Sequence, residues 1–133
     1  MEARLSWTGS GLVFDGGPAG GPQIVVDGDS ATGPSPMELV LSAVAACMAI
    51  DVRVILGKGR VPLDALDVVA RAERRDEPPR RFTALELTFR VAGAPPGSRE
   101  KVERAIELSR ERYCSVLLSL RSDLELHTAV EGV

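Results

Sequence analysis

The most constraining feature of the sequence is a run from Met37 to Leu56 in which almost every position is apolar or small. A helix that is hydrophobic all round offers no face to water and must be buried on all sides. At 1.5 Å per residue, about 20 residues make a rod about 30 Å long, which one small domain can hardly cover alone. The run therefore predicts a long buried helix and a second copy of the chain covering its remaining side, as in a two-fold dimer.

The residues before this run carry a helix-start signal. Ser35 is a favoured N-cap, Pro36 suits the first helical position, and Glu38 stands three residues after the cap. This spacing is that of a capping box, in which the Ser35 and Glu38 side chains each bind the other residue's backbone N–H. Gly57 and Gly59 indicate the end of the helix.

The rest of the chain alternates between strand-like and helix-like patterns. Three short strands are predicted first, at Ala3–Trp7, Leu12–Phe14 and Ile24–Val26. After the long helix, an antiparallel hairpin is predicted from Leu66–Ala72 and Leu85–Val91, and then an amphipathic helix that includes Val102–Tyr113. A short helix, Cys114–Leu120, and a strand, Leu124–Val130, complete the predicted elements. A parallel doubly wound sheet would need a more regular alternation. We therefore predict one α+β domain spanning 1–133, with antiparallel strands around a long buried central helix.

Composition excludes several partners. The chain has 16 Lys and Arg against 19 Asp and Glu, a net charge of -3, so no general basic field exists for nucleic acid or an anionic membrane surface. The longest apolar stretch, Leu39–Ile50, is shorter than the roughly 20 residues that cross a bilayer, and the N-terminus leads into no apolar signal region. We expect a cytoplasmic protein whose two cysteines rest as thiols.

Few residues remain that could carry chemistry. His127 is the only histidine, which excludes multi-histidine metal sites and predicts an exposed strand residue beside Glu125. Cys47 lies within the apolar helix, as an inert core residue or a reactive thiol. Cys114 follows two arginines that could lower its thiol pKa. Asp51 lies one turn beyond Cys47 on the same face, either paired with an arginine or part of a site.

Three segments together resemble a known family: the stretch 33–41 with Ser-Pro-Met-Glu, the stretch Ala45–Val52 around Cys47, and Tyr113–Val116 around Cys114. They are similar to the OsmC/Ohr family of osmotically inducible and organic hydroperoxide resistance proteins, and most similar to its OsmC-like branch. The resemblance implies an intertwined α+β homodimer with active sites at the subunit interface. It implies no metal, haem or flavin.

The same resemblance implies an activity and its residues. Cys47 matches the cysteine that attacks an organic hydroperoxide, and Cys114 matches the one that resolves the sulfenic acid into a disulfide for an external dithiol to reduce. The family's arginine after the first strand is missing, so Arg4, Arg80 or Arg81 would have to replace it. Glu38 is the candidate site glutamate. Because nine residues separate it from Cys47, a rise of about 13 Å, we expect Glu38 to act mainly as a cap.

An alternative function remains open on the sequence. The chain could be a non-catalytic or differently specialised homodimer of the same fold, which binds a small apolar ligand or reacts with other electrophiles at its interface pocket. The two functions differ in whether an arginine reaches Cys47.

Overall fold

A computed structural model describes all residues, 1–133, and gives an α+β arrangement of six strands and three helices. In chain order these are β1 (Ala3–Trp7), β2 (Val13–Pro18), β3 (Ile24–Asp27), α1 (Pro36–Lys58), β4 (Ala65–Arg74), β5 (Phe82–Ala92), α2 (Arg99–Leu108), α3 (Ser115–Leu118) and β6 (Glu125–Glu131). A π-helical turn, Ser109–Tyr113, connects α2 to Cys114. The chain divides into two compact units, Met1–Val40 and Leu41–Val133.

The first unit is an antiparallel meander. Strand β2 pairs with β1 on one side and with β3 on the other, which confirms the three predicted strands, although β2 continues past its predicted end at Phe14 to Pro18. Gly16 lies in β2, where an added Cβ would collide with the carbonyl oxygen of Arg4 on β1. This glycine is therefore explained by the close approach of two strands.

Asp27 organises the loop that leads to α1. The buried Asp27 carboxylate accepts hydrogen bonds from the backbone N–H groups of Asp29, Ala31 and Thr32 and from the Thr32 hydroxyl. These donors, led by the Thr32 backbone N–H, lower the pKa of Asp27 from 3.8 to about 2. Asp27 is therefore ionised at neutral pH and holds the loop in shape.

The predicted capping box is confirmed at the start of α1. The Ser35 N–H donates to Glu38 Oε2 at 2.7 Å, and the Glu38 N–H donates to Ser35 Oγ at 3.3 Å. The Ser30 hydroxyl donates to the same Glu38 oxygen. Helix α1 then continues to Lys58, past the predicted end at Leu56 and into the second unit.

The second unit contains a three-stranded sheet in the order β4-β5-β6. The antiparallel β4–β5 hairpin is confirmed, with Leu66 opposite Val91. The expectation of antiparallel strands throughout is wrong at one place, because β6 runs parallel to β5, with Leu85 opposite Leu126. The reason lies in the connection: α2, the π-helical turn and α3 form a crossover that returns the chain to the end of the sheet where β5 starts.

One stripe of α1 belongs to the core of this unit. Val44, Met48, Val52 and Leu56 recur every four residues and are almost completely buried. They share a single hydrophobic cluster with residues of β5 and α2, including Leu85, Leu87, Phe89, Val102, Ala105 and Ile106. Helix α1 is long and apolar enough to cross a membrane, although the uninterrupted apolar run in the sequence is shorter. The core helix of a soluble protein can have the same length and composition, so these two properties alone do not indicate a membrane span.

Another stripe of α1 is not covered by the chain. Ile50 is 63% exposed and Val54 is 49% exposed, so the predicted burial on all sides is not achieved within a single chain. A second expectation is corrected at one residue: the helical spacing of Val102, Ala105, Ile106, Ser109 and Tyr113 predicts that all five lie on one buried face of an amphipathic helix. Val102 and Ser109 are buried as expected, whereas Tyr113 is exposed. Its displacement follows from the π-helical turn, whose wider winding breaks the regular helical spacing.

Candidate active site

The fold brings the two cysteines together. The Sγ atoms of Cys47 and Cys114 and a carboxylate oxygen of Asp51 all lie within 4.8 Å of one another. Both cysteines are free thiols, and they differ in exposure: Cys47 is partly exposed, while Cys114 is completely buried. We call Cys47, Cys114 and Asp51 the thiol cluster.

Two local structures position the thiol cluster. On α1, Asp51 follows Cys47 by one turn, so the two side chains leave the helix on the same face. Cys114 has an extended backbone between the π-helical turn and α3, where its N–H donates to the Ser109 carbonyl oxygen at 2.8 Å. Its Sγ accepts a hydrogen bond from the Leu117 N–H at 3.3 Å. The thiol of Cys114 therefore caps α3.

Ser109 holds the carboxylate of the cluster. Its Oγ donates to Asp51 Oδ2 at 2.8 Å, and Ser109 itself is completely buried. The sequence left open whether Asp51 pairs with an arginine such as Arg53 or belongs to a site. Within the chain Asp51 forms no ion pair and lies beside both thiols. The cluster therefore combines two thiols with a carboxylate that has no cationic partner in the chain.

The pKa of the Cys114 thiol is shifted upwards, whereas the two arginines that precede it in the sequence suggested a downward shift. Burial, with smaller contributions from the Cys47 thiol and the Asp51 carboxylate, raises the pKa of Cys114 from 9.0 to about 11. The Leu117 N–H acts in the other direction and does not compensate. Arg110 and Arg112 do not lower this pKa, and both are exposed. Cys114 is thus a thiol at neutral pH.

The arginines considered as replacements have other partners. Arg81 forms an ion pair with Asp123 at 3.2 Å, and the Arg80 side chain donates to the carbonyl oxygen of Asp76 at 3.1 Å. In the first unit, Arg4 pairs with Glu2. Within the chain, no arginine of the second unit forms a hydrogen bond or ion pair with the thiol cluster.

The other candidate residues lie in different surroundings. Glu38 is fully engaged in the capping box, and the donors from Ser30 and Ser35 lower its pKa. Its participation in chemistry stays a prediction. His127 is exposed on β6 with its Nε2 3.6 Å from a Glu125 carboxylate oxygen, which confirms the structural role predicted for it.

A cavity of about 480 Å³ opens beside the thiol cluster. Asp51 forms part of its wall, and Lys58 lies at the same cavity. The remaining lining residues are mainly apolar: Val54, Ile55, Leu108 and Tyr113. A larger cavity of about 750 Å³ lies between α2 and β6, and its walls carry mostly charged side chains. Neither cavity is lined by a cysteine, and the smaller, apolar cavity adjoins the thiol cluster through Asp51.

Ser109 is a member of this site that the sequence does not predict. Ser109 lies 58 positions from Asp51, and its only visible property was a place on the apolar face of the second helix. A serine among buried residues is a weak signal that a polar partner exists, because a buried hydroxyl requires a hydrogen bond. The sequence does not indicate which residue supplies it.

Comparison with known proteins agrees with the resemblance found in the sequence. The family model described as OsmC-like protein matches residues 27–129. The chain is 45% identical over 134 residues to Protein YhfA of Escherichia coli (strain K12), covering 100% of this chain and 98% of that protein.

Solved structures extend the comparison to the whole fold. A hypothetical protein from Aquifex aeolicus VF5 is 27% identical with a TM-score of 0.87, covering 99% of this chain and 95% of that one. The organic hydroperoxide resistance protein OhrB of Bacillus subtilis shares the fold at 15% identity, with a TM-score of 0.68 and coverage of 98% of each chain. This chain therefore belongs to the OsmC-like protein family.

Proposed function

We propose that the protein is a thiol-dependent peroxidase that reduces organic hydroperoxides. The observation that carries this proposal is the pair of free Sγ atoms within 4.8 Å of each other, one partly exposed and the other completely buried. A pair of thiols this close is compatible with redox function, since modest side-chain movement brings the sulfurs to bonding distance.

The first step belongs to Cys47, because it is the thiol that a substrate can reach. Its thiolate attacks the terminal oxygen of the hydroperoxide, and the O–O bond breaks. The alkoxide leaves with a proton as an alcohol, and Cys47 becomes a sulfenic acid. Two electrons pass from the sulfur to the peroxide in this step.

The second step belongs to Cys114 and needs a base. Because its pKa is about 11, Cys114 is protonated at neutral pH and must lose a proton as it attacks. The Asp51 carboxylate lies within 4.8 Å and is oriented by Ser109, so it is placed to accept that proton. Cys114 then attacks the Cys47 sulfur, water leaves, and a Cys47–Cys114 disulfide forms. An external dithiol reduces this disulfide through a mixed disulfide and restores both thiols.

The cavity beside Asp51 supports an organic substrate. Its apolar walls, formed by Val54, Ile55, Leu108 and Tyr113, suit the carbon portion of an alkyl hydroperoxide. Each Å² of apolar surface removed from water contributes about 25 cal/mol to binding, which hydrogen peroxide cannot use. The proposed reaction requires no metal, haem or flavin.

The proposal includes the molecular context in which this chemistry occurs. The protein acts as a homodimer in the cytoplasm, with no nucleic-acid or membrane partner. The exposed apolar residues Ile50 and Val54 on α1 and the absence of any general basic field support this.

The proposal is tested by adding one equivalent of an alkyl hydroperoxide to the reduced protein. We expect both thiols to disappear and a Cys47–Cys114 crosslink to be found by mass analysis after non-reducing digestion. The Cys114→Ser variant should stop at a Cys47 sulfenic acid, trapped by a sulfenic-acid reagent, and Cys47→Ser should not consume peroxide. A repeat with hydrogen peroxide should react more slowly.

One outcome would count against catalysis. If Cys47 stays unmodified and no crosslink forms, the alternative function is favoured, in which a non-catalytic or differently specialised homodimer binds a small apolar ligand. Saturable binding of an apolar fluorescent probe that Val54→Asp abolishes would then identify the cavity beside Asp51 as its site.

A further inference from the structure

The thiol cluster also has the composition of a binding site for a soft metal cation. Its three potential ligand atoms, two sulfurs and one carboxylate oxygen, all lie within 4.8 Å of one another. Ligands around Zn²⁺ lie about 2.0–2.3 Å from the metal, so two sulfurs of a tetrahedral site are about 3.8 Å apart. The distances in the cluster therefore require only small side-chain adjustments to surround one ion.

The charge of the cluster favours a cation. Asp51 forms no ion pair within the chain, although it is only partly exposed. Ionising the two thiols beside it would place three negative charges together, which is unfavourable without a compensating cation. A divalent cation reduces that net charge from three negative to one. The only hydrogen bond that the Asp51 carboxylate accepts within the chain comes from the Ser109 hydroxyl.

The surroundings of the cluster resemble those that support metal ligands. Ser109 Oγ donates to one carboxylate oxygen of Asp51 and leaves the other oxygen free. The Leu117 N–H donates to Cys114 Sγ, an interaction that stabilises a thiolate. Such outer hydrogen bonds orient the ligands of a metal and strengthen its binding. Thiolates select Zn²⁺ and related soft ions over Mg²⁺ and Ca²⁺, which prefer oxygen.

We propose that the reduced protein binds one Zn²⁺ per chain through Cys47 Sγ, Cys114 Sγ and a carboxylate oxygen of Asp51, with water as the fourth ligand. Binding forms two Zn–S bonds and one Zn–O bond, and any thiol proton is released to solvent. No electron is transferred. Because the disulfide needs the same two sulfurs, metal binding and peroxide reduction exclude each other. Zn²⁺ thereby regulates the site that the proposed function uses, although the metal site itself does not depend on that function.

Metal titration of the reduced protein, without peroxide, tests this assignment. We expect one Zn²⁺ per chain in competition with a chromophoric chelator. Co²⁺ should bind at the same site and give a thiolate-to-metal charge-transfer band. At neutral pH at least one proton should be released per Zn²⁺, because cysteines bind metal ions as thiolates. Binding without this band, or without proton release, would show that the thiols are not ligands and overturn the proposal.

Variants identify the ligands. We expect Cys47→Ser and Cys114→Ser each to weaken Zn²⁺ binding by more than about 100-fold, since even outer-shell changes cost about 10–100-fold. Asp51→Asn, which keeps a neutral oxygen, should weaken it by about 10–100-fold. The control is His127→Ala, which removes the only histidine and should leave binding unchanged. Binding that survives both cysteine changes, or that disappears with His127, contradicts the assignment.

Unmutated protein provides a test that does not depend on how well the variants fold. Bound Zn²⁺ should protect Cys47 and Cys114 together from alkylation, as measured by mass analysis of the modified peptides. Protection of neither thiol would overturn the proposal. If the peroxidase proposal holds, the Zn²⁺-loaded protein should also form the disulfide more slowly, and an undiminished rate would exclude both sulfurs as ligands. If the protein proved not to be a peroxidase, the expected result of the Zn²⁺ titration would not change.

Discussion

Exposure divides the two cysteines into different chemical roles. Cys47 is partly exposed and lies beside a cavity wall formed by Asp51, whereas Cys114 is completely buried and caps α3. A substrate can therefore reach only the first thiol. Burial also keeps the second protonated, because it raises the pKa of Cys114 to about 11. In the proposed reaction, the burial that protects Cys114 from direct oxidation would also make a proton acceptor necessary for its attack on Cys47.

The need for a proton acceptor beside Cys114 predicts a specific defect for Asp51→Asn. We expect the variant to form the Cys47 sulfenic acid at a normal rate but to convert it to the disulfide about 100-fold more slowly, the usual contribution of a general base. The defect should shrink as the pH rises toward 11, because Cys114 then ionises without help. Rapid-quench trapping of the sulfenic acid measures both steps.

The control for Asp51→Asn is Glu125→Gln, which neutralises an exposed carboxylate on β6. It should change neither step. If Asp51→Asn slowed both steps equally, or if high pH gave no rescue, Asp51 would be structural and not a proton acceptor.

At the scale of elements, the start of α1 shows how far sequence alone can predict. The capping box was predictable because Ser35 and Glu38 are three positions apart and their geometry is fixed by the helix itself. The Asp51–Ser109 hydrogen bond was not, since its partners are 58 positions apart and meet only through tertiary packing.

The same limit applies to strand direction and helix regularity. The alternation of apolar residues in β6 would be the same in a parallel and in an antiparallel pair with β5. The direction of β6 is set by the crossover connection that precedes it. The π-helical turn before Cys114 follows from a hydrogen-bond shift for which the sequence carries no signal. The pairing of Cys47 with Cys114 came from family resemblance, since position along the chain does not reveal which thiols meet.

The capping box predicts that Glu38 contributes mainly to stability. Glu38→Ala removes the acceptor for the Ser35 N–H, while Glu38→Gln keeps one, so Ala should lower the melting temperature by about 4 °C more than Gln. Both should leave the alkylation rate of Cys47 within a few-fold. If Glu38→Gln kept full stability but cut peroxide consumption by about 100-fold, Glu38 would be a residue of the active site.

The loop before α1 predicts an acid-dependent loss of stability. The folded pKa of Asp27, about 2, lies below its ordinary value of 3.8, so its contribution is complete only above about pH 5 and is lost progressively as the pH falls through 3.8 toward 2. The difference in melting temperature between the wild type and Asp27→Asn should therefore shrink over that range. Asp29→Asn is the control, because its exposed carboxylate accepts no hydrogen bond. A difference that stays constant from pH 4 to 2 would assign the pH dependence elsewhere.

At the scale of the whole molecule, α1 has more apolar surface than one chain can cover. Its Val44–Leu56 stripe is buried in the core, whereas Ile50 and Val54 remain exposed on the same helix. Val54 also lines the cavity beside Asp51. A second copy that covers these residues would bury apolar surface and enclose the organic part of a substrate, so the proposed dimer and the proposed substrate preference would have one physical cause.

This predicts a stable homodimer that depends on the exposed stripe of α1. Light scattering at micromolar concentration should give twice the 14.2 kDa mass of the chain. Ile50→Asp should shift the mass toward one chain, because a charge buried without a partner in an interface is strongly unfavourable. His127→Asp places the same charge at an exposed position of β6 and should leave the dimer intact. A wild-type mass of 14.2 kDa would refute the dimer, and a dimer insensitive to Ile50→Asp would place the interface on another surface.

In the monomeric variant, disulfide formation with a bulky alkyl hydroperoxide should slow more than with hydrogen peroxide, because the open cavity no longer excludes water from the organic group.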